Sequence, residues 1–187
     1  MSGAFRPDNI TAGNFTTFTG TATPSTPVAG DTWAEWTSGA NKALKWGFIW
    51  EYDGTRWLSP MEYTSVCNPG YSAAANLLLN VTLPAGLNIY VVDVRLVGNH
   101  TGGAPSGGSN CYTYYVVRSR QLATGVTQVG SGTVQILANP FDYTLSINTF
   151  LDAGTLTFDA VRTNITKAGT AGTVYIQESM RYRWARP

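Results

Sequence analysis

Apolar and polar side chains alternate along most of the chain from Tyr63 onward. The segment from Ile89 to Val97 shows the pattern most clearly, because every second side chain in its centre is apolar. A period of two places alternate side chains on opposite faces of a strand, so the pattern predicts β-strands. Further strands are predicted at residues 112–120, 133–137, 143–147, 155–162 and 174–184.

Turn-forming residues separate these strands at intervals of about ten residues. They are clustered at residues 84–86, 130–132, 139–140, 153–154 and 169–172. This spacing is typical of an antiparallel β-sandwich, and we expect a jelly-roll-like one over residues 63–187.

Three details of this region lead to separate expectations. Residues 73–79 are expected to form a helical turn or two. Residues 101–110, rich in Gly and Ser, are expected to form a long loop. Glu178 falls on the apolar face of the last strand, so it requires a bulge or a polar partner across an interface.

The N-terminal third has a different pattern. Residues 1–29 are polar, and Pro24 and Pro27 keep them extended, so we expect an arm that orders only against a partner or the next module. Residues 30–62 hold five of the six tryptophans. Asp53-Gly54 predicts a hairpin turn between strands at 46–50 and 55–58. The predicted fold class is therefore all-β: an N-terminal arm, a small Trp-rich β-hairpin module and an antiparallel β-sandwich.

The amino-acid composition narrows the classes of partner that this protein is expected to bind. Charged residues make up 12% of the chain and the net charge is +1, so we expect no nucleic-acid partner. A surface of Thr, Ser, Asn and Gly suits burial against other subunits. The basic residues Arg181, Arg183 and Arg186 are expected on a solvated or interface strand edge. No signal peptide or apolar span of about 20 residues is present, so we expect synthesis in a cytoplasm and no membrane insertion.

Candidate catalytic and metal-binding groups are few. His100 could complete a triad, but no nucleophile elbow accompanies it, and we expect it to be a solvated loop residue. Glu51 could pair with Asp53 as in a glycosidase, but Asp53 already has a role in the turn. Cys67 and Cys111 could form a disulfide, although two buried free thiols are favoured. We therefore expect no enzyme activity, no metal and no cofactor.

The aromatic residues of the Trp-rich module have two interpretations. Exposed rings stack on sugars, so Trp36, Trp50, Trp57 and Tyr52 are candidates for glycan binding or for an interface. Alternatively, the rings form the core of a module too small to have another one. The core interpretation is favoured. Both interpretations apply if one ring lies outside the core and is exposed.

Residues 24–57 resemble a short module that recurs in tailed-phage fibre and other virion proteins. That module has a Pro-rich lead, then Gly-Asp-x-Trp, then Tyr-Asp-Gly-x-x-Trp. The module-defining positions here are Gly30, Asp31, Trp33, Tyr52, Asp53, Gly54 and Trp57. The spacing between the two halves is longer than in the module, with Trp36 and residues 41–46 inserted. Residues 165–184 resemble the last hairpin of fibre-tip or capsid-decoration β-sandwiches.

The resemblance implies a structural protein of a phage virion, made in the bacterial host cytoplasm. It implies a homotrimer whose residues 30–62 attach to baseplate, tail or capsid proteins. The leading expectation is a short tail fibre or receptor-binding protein that contacts host surface polysaccharide. The alternatives are a capsid decoration (cement) protein, a free-standing carbohydrate-binding module and, last, a small glycan hydrolase.

Overall fold

The computed structural model describes residues 16–40, 43–101, 111–119, 126–152 and 160–186. Most of the predicted loop at 101–110 and of the predicted strand at 155–162 lies outside these residues, as do residues 1–15 of the predicted arm. The described residues form strands and turns and no helix. The all-β prediction is confirmed.

Twelve strands make up the described fold. They are β1 (Thr17–Gly20), β2 (Thr32–Glu35), β3 (Trp50–Tyr52), β4 (Trp57–Leu58), β5 (Glu62–Cys67), β6 (Ala75–Thr82), β7 (Asn88–Thr101), β8 (Tyr112–Ser119), β9 (Val126–Ile136), β10 (Phe141–Leu151), β11 (Ala160–Lys167) and β12 (Thr173–Ala185).

The chain divides into two compact units, and the boundaries fall at residues 62/63 and 182/183. Unit 1 comprises the N-terminal residues up to Glu62 together with residues 183–187, and unit 2 comprises residues 63–182. Strand β12 therefore contributes to both units. The division into an arm at 1–29, a module at 30–62 and a sandwich at 63–187 stays a prediction.

In unit 1, four short strands lie side by side in the order β1-β2-β3-β4. Strand β1 pairs with β2 in parallel, and the β2–β3 and β3–β4 pairs are antiparallel. Ala185 at the end of β12 pairs with Leu58 of β4. The arm segment that contains β1 is thus ordered by pairing with the Trp-rich module.

Unit 2 is a β-sandwich of two sheets. In one sheet β12 pairs with both β5 and β7, and β7 pairs with β10; the other has the order β6-β11-β8-β9. The strands pair as in one long hairpin: β8 with β9, β7 with β10, β6 with β11 and β5 with β12. Rolling such a hairpin into two sheets gives a jelly roll, which agrees with the jelly-roll-like sandwich expected for this region.

Alternating burial places the core between the two sheets. In β12, Val174, Ile176, Glu178 and Met180 are buried, whereas Tyr175 and Gln177 are exposed. The other sheet contributes large side chains that are fully buried, among them Tyr112, Tyr114, Ile136 and Ile165. The period-two pattern therefore marks the core-facing side of each strand.

Three predicted elements are wrong. The predicted turn at 130–132 lies inside the continuous strand β9. Residues 73–79 form no helical turn, because β6 begins at Ala75 and pairs with β11. From Leu79 onward the alternation is clear, since Leu79 and Val81 are buried and Asn80 is exposed. The predicted strand at 46–50 is also wrong, because residues 45–48 form turns and β3 starts only at Trp50.

Gly98 of β7 leaves no room for a side chain. A methyl group there would be 2.0 Å from the backbone oxygen of Tyr175 and 2.6 Å from the ring of Phe141. A contact that short with backbone requires the strands to move apart. We expect Gly98→Ala to lower the free energy of unfolding by about 3 kcal/mol, measured by urea denaturation.

The neighbouring Val97 provides the control, because its side chain is 37% exposed. Val97→Ala should cost less than about 1 kcal/mol. Equal urea midpoints for Gly98→Ala and the unmodified chain would contradict the close packing of β7 against β12.

Candidate attachment module

Asp31 joins the arm to the module in unit 1. Its carboxylate is buried, and it accepts hydrogen bonds from the backbone N–H groups of Thr16 (2.6 Å) and Val28 (2.8 Å). Gly30 precedes it with a φ of 93°, a conformation that favours glycine, and donates its N–H to the oxygen of Tyr52 at 2.8 Å. The Gly-Asp pair thus closes a turn and aligns β1 beside β2.

The second acidic turn follows the same logic. The Asp53 carboxylate accepts hydrogen bonds from the N–H groups of Thr55 (2.7 Å) and Arg56 (2.6 Å). Gly54 has a φ of 97°, as the predicted tight turn requires. Asp53 is therefore engaged in turn structure, and the hairpin prediction at Asp53-Gly54 is confirmed.

Three tryptophans form the core of unit 1. Trp33 and Trp50 are 0% exposed and Trp57 is 3% exposed. The ring centroids of Trp33 and Trp57 lie 5.8 Å apart in an edge-on arrangement, and Phe18 of the arm meets Trp57 at 6.0 Å. Trp50 and Trp57 as glycan-binding candidates are therefore wrong, because burial leaves no ring face open to a sugar.

Trp36 and Tyr52 lie at the margin of this core. Both are half-buried. The backbone of Trp36 forms an isolated bridge with Leu44, and the Tyr52 ring packs against Trp57 at 5.2 Å. Part of each ring remains accessible, so these two candidates stay predictions.

Glu35 is a buried structural residue that the sequence did not reveal. It is 1% exposed, in the last position of β2. Its Oε1 accepts from Lys45 Nζ (3.0 Å) and Arg186 Nη2 (2.7 Å), and its Oε2 accepts from the indole N–H groups of Trp46 (2.8 Å) and Trp50 (3.2 Å). Two cations and two indoles therefore surround one buried carboxylate.

The surroundings of Glu35 also include the faces of aromatic rings. The Arg186 guanidinium lies 5.7 Å from the ring centre of Trp33 and 5.9 Å from that of Trp46. Burying a carboxylate costs several kcal/mol, and charge-assisted hydrogen bonds from every side offset that cost. The residues inserted relative to the phage module, Lys45 and Trp46, are among those that supply the donors.

The C-terminal segment completes unit 1. The backbone N–H of Trp184 donates to Ser59 Oγ at 2.8 Å. The Nη2 atom of Arg183 lies 2.9 Å from a carboxylate oxygen of Glu51. Arg186 has a side chain that is only 16% exposed. The expectation of a solvated or interface edge is therefore wrong for Arg186, which serves an intramolecular carboxylate.

His100, in unit 2, is not the solvated loop residue that was expected. It lies on β7, is 5% exposed and packs against the rings of Phe141 (5.7 Å) and Tyr112 (5.9 Å). Within the described residues neither ring nitrogen has a hydrogen-bond partner. Burial lowers the pKa of His100. The neutral ring behaves as a core aromatic.

Glu178 is also buried in unit 2, at 0% exposure. Asn68 Nδ2 donates to one of its oxygens, and the Tyr114 hydroxyl donates to the other at 2.7 Å. Burial raises the pKa of Glu178, although hydrogen bonds to the carboxylate oppose the shift. The polar partner required on this face is therefore inside the unit.

The remaining chemical groups are dispersed. Within the described ranges no three His, Cys, Asp or Glu side chains are close enough to hold a metal ion. Cys111 is buried and Cys67 is exposed, and they are not bonded to each other. The expectation of two buried thiols is wrong for Cys67. No helix in the described part of the chain has the length and apolarity needed to cross a membrane.

No family model and no curated protein matches the sequence. Among solved structures, the chain is similar to the VP2 subviral particle of infectious bursal disease virus, with 13% identity and a TM-score of 0.36 over 80% of this chain and 38% of that one. The Gt strain of the same virus matches with 12% identity and a TM-score of 0.35, over 95% and 39% of the two chains. The chain spans less than half the length of these viral proteins. At these TM-scores the likeness assigns neither a fold nor a function.

The Glu35 cluster leads to a stability prediction. Glu35→Ala leaves two cations and two indole N–H groups without their common acceptor, so we expect a loss of about 3–5 kcal/mol in the free energy of unfolding. Urea denaturation followed by tryptophan emission measures it, since the core of unit 1 is tryptophan.

Glu51→Ala is the matched control, because Glu51 is 59% exposed and also pairs with an arginine. It should cost less than about 1 kcal/mol. A Glu35→Ala chain no less stable than Glu51→Ala would refute the central role of the buried carboxylate.

His100 leads to a prediction about pH. Because burial lowers its pKa, the unfolded chain takes up a proton at a higher pH than the folded chain does. The corresponding stability is present above the ordinary histidine pKa of about 6.5 and is lost as the pH falls through it. His100→Phe keeps a ring between Tyr112 and Phe141 and should reduce this loss in urea midpoints measured from about pH 7.5 to 5.5.

Glu178→Gln should change the same profile in the opposite sense. Since burial raises the pKa of Glu178, the folded chain gains stability as it takes up that proton on acidification. Removing the carboxyl should therefore enlarge the loss of stability on acidification.

Parallel stability profiles for His100→Phe and the unmodified chain would contradict the prediction for His100 and show that the histidine ring is solvated.

Proposed function

We propose that the chain is a non-enzymatic structural component of a phage particle, attached through unit 1. The observation that carries the proposal is the convergence of the module-defining residues. Gly30, Asp31 and Trp33 from one half of the motif meet Tyr52 and Trp57 from the other half in one small core. The motif that resembles the virion module is thus a folded unit with its own turns and core.

The edge of unit 1 supports a role in attachment. Strand β1 is the outermost strand in the order β1-β2-β3-β4, and no described strand pairs with its other side. A free edge can accept a strand from another chain, with main-chain hydrogen bonds providing affinity. Three apolar side chains among the described residues of unit 1 are also well exposed: Val28 at 57%, Met61 at 50% and Ile49 at 46%.

Unit 2 supports the role of a short tail fibre or receptor-binding protein. Jelly rolls serve in viral capsid and lectin domains, which are respectively assembly and sugar-binding roles. The fold alone does not decide between them. We propose a homotrimer in which unit 2 binds the host surface polysaccharide and unit 1 binds the particle.

The copy number in purified particles tests this proposal. Quantitative mass spectrometry should find a small multiple of three copies for each particle, as for a tail fibre. Hundreds of copies would overturn the fibre role in favour of capsid decoration. Absence from the particle would overturn the virion role, and a stable monomer in solution would overturn the trimer in favour of a free-standing carbohydrate-binding module.

A pair of variants tests attachment through unit 1. Particles lacking the protein are supplied with a chain carrying Val28→Asp and Ile49→Asp, and incorporation should fall about tenfold or more, because buried unpaired carboxylates oppose an apolar interface. The control carries Val97→Asp and Leu137→Asp, at side chains of unit 2 with 37% and 43% exposure. Equal incorporation of the two chains would overturn attachment through these residues.

A further inference from the structure

Unit 2 has a polar cleft of about 420 Å³ on the outer face of the sheet that contains β12, β7 and β10. Two arginine–aspartate pairs line it. Arg95 of β7 pairs with Asp142 of β10, and Arg181 of β12 pairs with Asp93 of β7. The pairs link successive strands and form the floor of the cleft.

Each pair is held side-on, which fixes the direction of its remaining polar atoms. Arg95 donates from Nε to Asp142 Oδ1 (3.0 Å) and from Nη2 to Oδ2 (2.6 Å). Arg181 uses the same two nitrogens on Asp93, with Nε at 2.9 Å from Oδ1. In each arginine the third guanidinium nitrogen, Nη1, takes no part in these bonds to the aspartate. Each pair therefore presents both donors and acceptors to a bound molecule.

The wall of the cleft carries an aromatic ring and two hydroxyls. Tyr63 on β5 is 65% exposed, the largest exposed fraction among the large apolar and aromatic side chains described. Thr144 and Ser179 add hydroxyl groups to the lining. An exposed ring next to oriented polar groups can pack on the apolar face of a pyranose while its hydroxyls hydrogen-bond to the side chains.

The charge in the cleft selects the class of ligand. Two guanidinium and two carboxylate groups cancel, so the lining has no formal net charge. Ion pairing with Arg95 lowers the pKa of Asp142, which keeps that carboxylate ionised. A balanced lining gives no net attraction to a phosphate or a polyanion.

We propose that this cleft is a binding site for a neutral saccharide, with Tyr63 as the stacking ring and the two arginine–aspartate pairs as the hydrogen-bonding groups. The site is distinct from the tryptophans of unit 1. The inference rests on the proposed function only for its source, a host surface polysaccharide.

The test uses the full-length chain on an array of neutral and acidic oligosaccharides from bacterial capsules and O-antigens. At least one neutral oligosaccharide should bind, and its affinity should change less than about threefold between low and high salt. Tyr63→Ala and Asp142→Ala should each weaken it about tenfold or more. Tyr175→Ala is the matched control, since Tyr175 is 44% exposed and does not line the cleft, and its affinity should be unchanged.

Three results would overturn the proposal. They are no binding to any neutral oligosaccharide, binding confined to acidic oligosaccharides and lost in salt, and binding weakened equally by the three variants. Thermal melting of each variant checks that the fold is kept. If the chain is found in particles but binds no neutral oligosaccharide, the proposed cleft site is wrong and the virion role stands. If the chain binds a neutral oligosaccharide but is absent from particles, the cleft site stands and the virion role is wrong.

Discussion

The buried carboxylate of Glu35 is the constraint on which unit 1 depends. A charge inside an aromatic core is tolerated only if donors reach it from all sides. Those donors come from three separate stretches: Lys45 and Trp46 in a turn, Trp50 at the start of β3, and Arg186 near the C-terminus. The turn at 45–48 and the docking of the last residues follow from this requirement. Trp46 and Trp50 therefore serve as hydrogen-bond donors as well as apolar side chains.

Unit 2 is organised by a different principle, the pairing of strands as in a single rolled hairpin. Each pair is defined by alternation, because a slip of one residue would expose the whole core face of a strand. The buried polar residues depart from this rule in two ways. Glu178 is supplied with donors by Asn68 and Tyr114, whereas His100 is simply neutral. Hydrogen bonds therefore offset the burial of Glu178, and the loss of charge permits the burial of His100.

Local patterns in the sequence predicted most of the strands and turns. The features that these patterns did not predict depend on contacts between residues far apart in the chain. Alternation located β7, β8 and β12, and Asp-Gly located the hairpin turn. The leucines of 77–79 fit helix or strand equally well, and only pairing with β11 selects the strand. Glu35 belongs to no motif, and its partner Arg186 is 151 residues away. The polar cleft likewise depends on the register of four strands, which no local pattern specifies.

The sharing of β12 between the two units has a genetic consequence. The codons for unit 1 lie on both sides of the codons for unit 2, because residues 183–186 complete a unit that is otherwise encoded before Tyr63. A recombination event that exchanged only the codons before Tyr63 would separate Glu35 from the Arg186 with which it pairs. Exchange of unit 1 between related genes would therefore require matched codons for residues 183–186, and the two stretches that encode unit 1 should be inherited together.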